Sequence, residues 1–241
     1  LAVSNYTSGT LAVFQLDDGG LPIRMTDLVR HTGTGVRPDR QQGPHVHFAQ
    51  FRDDTVYAVD LGLDRVACYT LDTCTGTLRA GQTLRLPDGS GPRHLAFAPG
   101  DPDRLYVLCE PGSAVVFFQN TELGWREVQS CSTLPEEYDA GNLAAAIWFS
   151  EDGKVLFTSN RGHDSVAVFA VAEDGRLRRT QICKTGGAVP RDFHVFGRCL
   201  VCANQGGSHL TVLRYDSGRE SLEPYPMETA VGQPVCICRE S

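Results

Sequence analysis

A chain of 241 residues can bury a full core, as one large all-β domain or two small ones. Its formal net charge of -7 argues against nucleic acid or an anionic membrane surface as the main partner. Apolar and charged fractions of 41% and 21% argue against disorder, and no apolar run approaches the roughly 18 residues that span a bilayer.

Taken in order, the chain repeats one unit. It opens on LAVSNY, mid-strand and without methionine, as a trimmed chain does, which leaves any targeting segment out of view. Residues 1–29 read as the second, third and fourth strands of a unit: LAVSN closing on Asn5, then LAVFQLD, then a more polar strand after Asp18-Gly19-Gly20. The next unit starts at Pro44-His45, closes VYAVD on Asp60 and continues with RVACYTLD. In the third, a strand from Pro92-Arg93 stops at Pro99-Gly100, LYVLC ends on Glu110, and AVVFF follows a Pro-Gly-Ser turn. The fourth starts at Asn142-Leu143 without a proline and closes LFTSN on Asn160. The fifth starts at Pro190-Arg191 and closes LVCAN on Asn204. A lone first strand, 234–239, ends the series.

Four strands in a period of about 44 to 55 residues is the size of a propeller blade. A β-sandwich needs no repeated polar strand end, so the expected fold is all-β: one β-propeller domain, 1–241, of four-stranded antiparallel blades with five visible. Strands 1–29 and 234–239 are expected to share one blade and close the ring, which removes two exposed sheet edges. The best helical candidate, 135–143, is short and lies in an insertion.

The nine cysteines are odd in number and mostly strand-embedded, which suits free thiols in a reducing compartment. Cys199-x-x-Cys202 and Cys236-x-Cys238 hint at zinc. Strand alternation puts the first pair on opposite faces and no matching His pair lies nearby, so no metal or other cofactor is expected.

In an antiparallel meander the start of the first strand and the end of the second lie at one sheet edge. Arg93 and Glu110 are therefore expected together. The same mouth collects His45 or His47, Arg191, Asn5, Asp60, Asn160 and Asn204, with Arg161 and Gln205 next in the turns. Three arginines and a histidine in an acidic protein point to a small anionic ligand, because the guanidinium pairs with carboxylate or phosphate through planar hydrogen bonds. Each has a structural alternative. Arg191 can brace Asp192, while Asn160, Asn204 and Asp60 can cap turns. Glu110 precedes Pro111 and has no turn role that Asn would not fill better. Thr185-Gly186-Gly187 lacks the strand–helix context of a nucleotide loop, and Ser165 and Ser208 lack the strained elbow of a serine hydrolase.

The motifs GPHVH (43–47), VDLGLDRV (59–66), GSGPRHLAF (89–97), SNRGHDSVAVF (159–169), TGGAVPRDF (185–193) and ANQ (203–205) resemble the seven-bladed lactonase family. That family includes the propeller type of 6-phosphogluconolactonase and the carboxy-muconate lactonizing enzyme. The resemblance runs through nearly the whole chain, with two blades missing on the N-terminal side. It implies a metal-free site on His45, Arg93, Glu110 and Arg161, with Arg191 as a further candidate, and so selects His45 over His47. It implies a cytoplasmic enzyme of carbohydrate metabolism, in the pentose phosphate pathway, that hydrolyses a phosphorylated sugar lactone. The alternatives are muconate lactonization and a non-catalytic propeller that binds a metabolite or protein.

Overall fold

The computed structural model describes residues 1–238. They form five antiparallel sheets, each a meander of consecutive strands. The first has three strands, β1 (Ala2–Asn5), β2 (Thr10–Leu16) and β3 (Pro22–Arg30). The second comprises β4 (Val46–Arg52), β5 (Thr55–Asp60), β6 (Arg65–Asp72) and β7 (Thr77–Arg85). The third is β8 (Pro92–Ala98), β9 (Asp101–Cys109), β10 (Ala114–Thr121) and β11 (Gly124–Ser132). The fourth is β12 (Leu143–Phe149), β13 (Val155–Arg161), β14 (Ser165–Val171) and β15 (Leu177–Lys184). The fifth is β16 (Pro190–Phe196), β17 (Cys199–Asn204), β18 (His209–Asp216) and β19 (Ser221–Ala230).

The chain divides into two compact units, Leu1–His94 with Leu123–Trp125, and Leu95–Glu122 with Arg126–Ser241. In the first unit, Leu11, Val46, Val56, Ala58, Ala67 and Tyr69 form a core between sheet faces. The second unit has one cluster around Tyr106, Phe117 and Phe169 and another around Phe157, Phe193 and Tyr215. Second and third strands carry apolar residues on both faces because both are covered: Val155 to Asn160 and Ser165 to Ala170 are buried without a break. The fourth strands are the polar, exposed edges, as in β19.

One backbone clasp recurs five times. The residue before each third strand is left-handed: Gly9, Asp64, Ser113, Asp164 and Ser208, with φ between 46° and 62°. Its carbonyl accepts the N–H of the residue that follows the fourth strand. The pairs are His31 on Gly9 (3.0 Å), Leu86 on Asp64 (2.9 Å), Thr133 on Ser113 (2.9 Å), Thr185 on Asp164 (3.1 Å) and Val231 on Ser208 (3.1 Å). Four of these positions are not glycine, although the conformation favours it; Asp and Ser tolerate it through local polar bonds.

Two expectations are corrected. The first sheet contains only β1, β2 and β3, and 234–238 carries no strand, so the shared blade is not formed by the described residues. The reason is local: the Ile237 N–H donates to Asp192 Oδ2 at 2.8 Å instead of to a strand ladder. Arg239 lies outside the described residues. The insertion 135–143 is a turn, with Tyr138 N donating to Pro135 O, and the helical content among the described residues is the 3₁₀ turn Leu61–Leu63.

All nine cysteines are free. Burial pushes the Cys68 thiol up to about 12 and raises that of Cys202 further, whereas Cys74 and Cys199 are exposed. Alkylation of the native protein at pH 8, read by peptide mass spectrometry, should label Cys74 and Cys199 within minutes. Cys68 and Cys202 should be labelled only after denaturant is added.

Candidate active site

Strand ends place the candidate residues. Asn5, Asp60 and Asn204 close β1, β5 and β17, Glu110 follows β9, and Asn160 and Arg161 close β13. Cross-strand register sets Val46 opposite Asp60, Leu143 opposite Arg161, Ala144 opposite Asn160, and Pro190 opposite Asn204. First-strand starts and second-strand ends thus share an edge in each of these sheets.

In the second unit, Arg161 Nη2 lies 2.6 Å from Glu110 Oε2. The side chains are 11% and 2% exposed, so this charge pair is largely out of water. Arg161 Nε donates to Leu143 O and its Nη2 to Ala144 O, both at 3.2 Å. Ala144 N in turn donates to Glu110 O at 2.9 Å. A carboxylate and a guanidinium are therefore held together by the start of β12. Desolvated, such a pair interacts more strongly than on the surface and depends on the hydrogen bonds around it.

In the first unit, the His45 ring stacks on Tyr6 with centroids 4.3 Å apart and planes within 9°. Its Nδ1 lies 3.0 Å from Tyr6 O. A carbonyl can only accept, so Nδ1 carries the proton and Nε2 is the acceptor of the neutral ring. His47 meets Tyr6 and His94 edge-on, at 5.6 and 5.3 Å. Arg93, at 3% exposure, has Nη1 3.0 Å from His94 Nε2. The Asp64 carboxylate prepares its strand: it accepts Gly89 N and Gly91 N, both at 2.7 Å, and Gln41 Nε2 at 2.8 Å. The sequence reading passed over Asp64, whose signal was its place before a third strand.

The polar strand ends behave differently from the charged ones. Asp60 is fully buried; Oδ1 accepts His45 N at 2.8 Å and Gly62 N at 3.1 Å, and Oδ2 meets His31 Nδ1 at 2.5 Å. His31 Nε2 then contacts Tyr69 Oη at 2.8 Å. Close packing adds to this, since a Cβ at Gly62 would lie 1.9 Å from Gly43 O. Asn160, also fully buried, exchanges bonds with Thr133, whose Oγ1 donates to Asn160 Oδ1 and whose carbonyl accepts from Nδ2, at 2.7 and 2.9 Å. Asn204 Nδ2 donates to Thr211 Oγ1, which donates to Thr185 O. Asn5 Nδ2 donates to Thr10 Oγ1 at 3.2 Å. These side chains are scaffold contacts within the chain. Gln205 N donates to Val189 O, and Arg191, the second residue of β16, is partly exposed.

Two further polar residues lie next to the pair. The Asn142 side chain bonds to Ser113, Asn160 and His163. His163 Nδ1 lies 2.8 Å from Ser165 Oγ, and burial and the Lys184 charge hold its imidazole below the usual range. By cross-strand register Asn142 occupies the place that Pro44 has in the second sheet.

Meandering antiparallel sheets of four strands are the units from which β-propellers are built, and here Asp60 and Glu110 are buried at second-strand ends. The sequence model of the family "Lactonase, 7-bladed beta-propeller" matches residues 1–238, and the chain belongs to that family. It is 35% identical over 243 residues to the 6-phosphogluconolactonase of Bacillus subtilis, covering 97% of this chain and 68% of that protein. A crystal structure of a Lactobacillus plantarum protein is similar with TM-score 0.91 and 33% identity, over 98% of this chain and 69% of that one. The Pseudomonas aeruginosa periplasmic gluconolactonase is similar with TM-score 0.90 and 29% identity, over 97% and 68%. The chain thus spans about two thirds of the length of these relatives.

Removing the Asp60 carboxylate strands the His45 and Gly62 amides and the His31 ring. Asp60→Ala should lower unfolding free energy by about 3–5 kcal/mol in urea titration. Asp60→Asn, which keeps an acceptor, should cost less.

Proposed function

We propose that this protein hydrolyses the lactone of a phosphorylated sugar acid, converting 6-phosphogluconolactone to 6-phosphogluconate. The observation that carries this reading is the buried Glu110–Arg161 pair in a chain of the lactonase family. The name of the Bacillus relative supports the substrate. Glu110 takes a proton from water, and the resulting hydroxide adds to the lactone carbonyl. The negative charge that grows on the carbonyl oxygen is met by the Arg161 guanidinium, a donor already oriented by Leu143 O and Ala144 O. Collapse of the tetrahedral intermediate breaks the bond to the ring oxygen. That oxygen takes the proton back from Glu110 and leaves as a hydroxyl, and the carboxylic acid formed releases its own proton to solvent and remains as carboxylate. Asp60, Asn160 and Asn204 hold the scaffold in this reading, and Asn5 and Gln205 sit in its turns.

A second assignment of the base has its own observation. His45, with Nδ1–H directed to Tyr6 O, offers Nε2 as a proton acceptor. Arg93 and Arg191 are candidates for the phosphate, since planar guanidinium groups match its oxygens. The ligand is a small anion; an acidic chain disfavours nucleic acid, and among the described residues no helix is long and apolar enough to cross a membrane. Cysteines buried within strands suit a reducing, cytoplasmic compartment, and the name of the Bacillus relative supports a place in carbohydrate metabolism.

The test is lactone opening near neutral pH with spontaneous hydrolysis subtracted, on 6-phosphogluconolactone and on its unphosphorylated counterpart. Wild type should turn over the phosphorylated lactone faster. Glu110→Gln should reduce kcat by about 10²- to 10⁴-fold. Arg161→Ala should reduce it by about 10²- to 10³-fold. Arg93→Lys, which keeps charge but loses the fork, should raise KM. A larger loss in His45→Asn than in Glu110→Gln would move the base to His45. Turnover of a muconate in place of the sugar lactone would move the chain to lactonization. No turnover and no product binding would leave a non-catalytic propeller.

A further inference from the structure

We infer that Asn142 is the positioning residue of the Glu110–Arg161 pair, tying the two turns that carry the pair through one side-chain amide. The structural half of this inference stands on hydrogen bonds alone; the catalytic half rests on the lactonase reading above.

In the second sheet Pro44 lies two residues before Val46, the residue paired with the strand end Asp60, and its ring fixes φ and offers no side-chain donor. The fourth sheet receives its first strand from the 133–142 insertion and has Asn142 there instead. Asn142 Nδ2 donates to Ser113 Oγ at 2.9 Å and to Asn160 Oδ1 at 3.1 Å. Its Oδ1 accepts His163 N at 3.1 Å. One amide therefore joins three stretches of chain. Ser113 closes the turn that begins at Glu110, with Ser113 N donating to Glu110 O. Asn160 is the residue before Arg161, and His163 lies two residues after it. The peptide after Asn142 begins β12, whose Leu143 and Ala144 carbonyls accept from Arg161 and whose Ala144 N–H holds Glu110 O.

The approach is close as well as bonded. Gly162 has φ +116°, and a Cβ there would lie 2.4 Å from Gly141 O. The 162–163 turn is thus seated against Gly141 and Asn142. The carboxylate turn and the guanidinium turn come from different hairpins, 51 residues apart. The start of β12 already bonds to both turns, and the Asn142 side chain adds bonds that narrow the separations the two groups can sample. Displacement of reacting groups by about 1 Å costs on the order of 10²-fold in rate.

The test compares wild type, Asn142→Ala and the milder Ser113→Ala, which removes one of the three bonds. Amide hydrogen exchange is read by mass spectrometry on peptides covering 110–113, 143–144 and 160–163. Asn142→Ala should raise exchange in all three and Ser113→Ala chiefly in 110–113, with exchange across β17 and β18 unchanged in both. Unchanged exchange at the three peptides would overturn the inference, whatever the protein catalyses. For the catalytic half, Asn142→Ala should lower kcat by about 10- to 100-fold with KM changed far less. In an Arg161→Ala background it should have almost no further effect. A loss in kcat that multiplies fully with Arg161→Ala, or lost thermal stability with kcat intact, would refute positioning. If wild type turns over no lactone, the lactonase reading fails, and the exchange experiment alone decides whether Asn142 holds the two turns.

Discussion

The structure depends on one repeated backbone bond, in which a left-handed residue before the third strand turns its carbonyl toward the N–H that leaves the fourth strand. It ties the turn before that strand to the exit of the last strand of the same sheet, at Gly9, Asp64, Ser113, Asp164 and Ser208. A buried backbone donor without a partner costs on the order of 1–3 kcal/mol, so each repeat must supply this acceptor. Forcing the same turn in every repeat brings the second-strand end, the exit of the fourth strand and the next first strand close together. The polar side chains at the strand ends then complete what the backbone starts. Asp60 reaches His31, Asn160 reaches Thr133, and Asn204 reaches the Thr185 carbonyl through Thr211.

This arrangement sorts the polar residues into two kinds. Asn has both a donor and an acceptor, so at Asn160 it can satisfy a hydroxyl and a carbonyl of the same threonine. Asp60 has acceptors only, and it is matched by two amides and a histidine ring. Glu110 has the longer arm, and its Oε2 is met by the guanidinium of Arg161. A charge pair held by carbonyls at the mouth of a sheet is suited to meeting a developing oxyanion, whereas a closed amide network is suited to holding a shape. The lactonase proposal therefore places the chemistry on Glu110 and Arg161 and leaves the buried amides to the scaffold.

Long connections, 31–45 and 133–142, precede the first strands of the second and fourth sheets, and by register Asn142 stands where the second has Pro44. Proline limits the path of a strand by covalent geometry, but it cannot report to a neighbouring turn. An asparagine at the same place can, and here it contacts the turns on both sides of the pair. One side chain at the start of β12 thus joins a turn of the third sheet to a turn of the fourth.

The sequence by itself determined the β class, the four-strand period and the polar strand ends. Each is written in local pattern: alternation at period two, Gly and Pro punctuation, and one polar residue after an apolar run. The LFTSN and LVCAN strands illustrate it, since their Asn160 and Asn204 fall on the strand ends that their pattern predicts. Tertiary structure decided the rest. That Arg161 meets Glu110 depends on two hairpins 51 residues apart, and no periodicity encodes that distance. That Asp60 is closed in by His31 required the residue after a preceding outer strand to arrive beside it. The apolar 234–238 stretch has strand composition, yet Asp192 takes the Ile237 amide and no strand forms there. Local sequence sets what a segment is able to become; which donor meets which acceptor is settled only when distant turns are packed together and water is excluded.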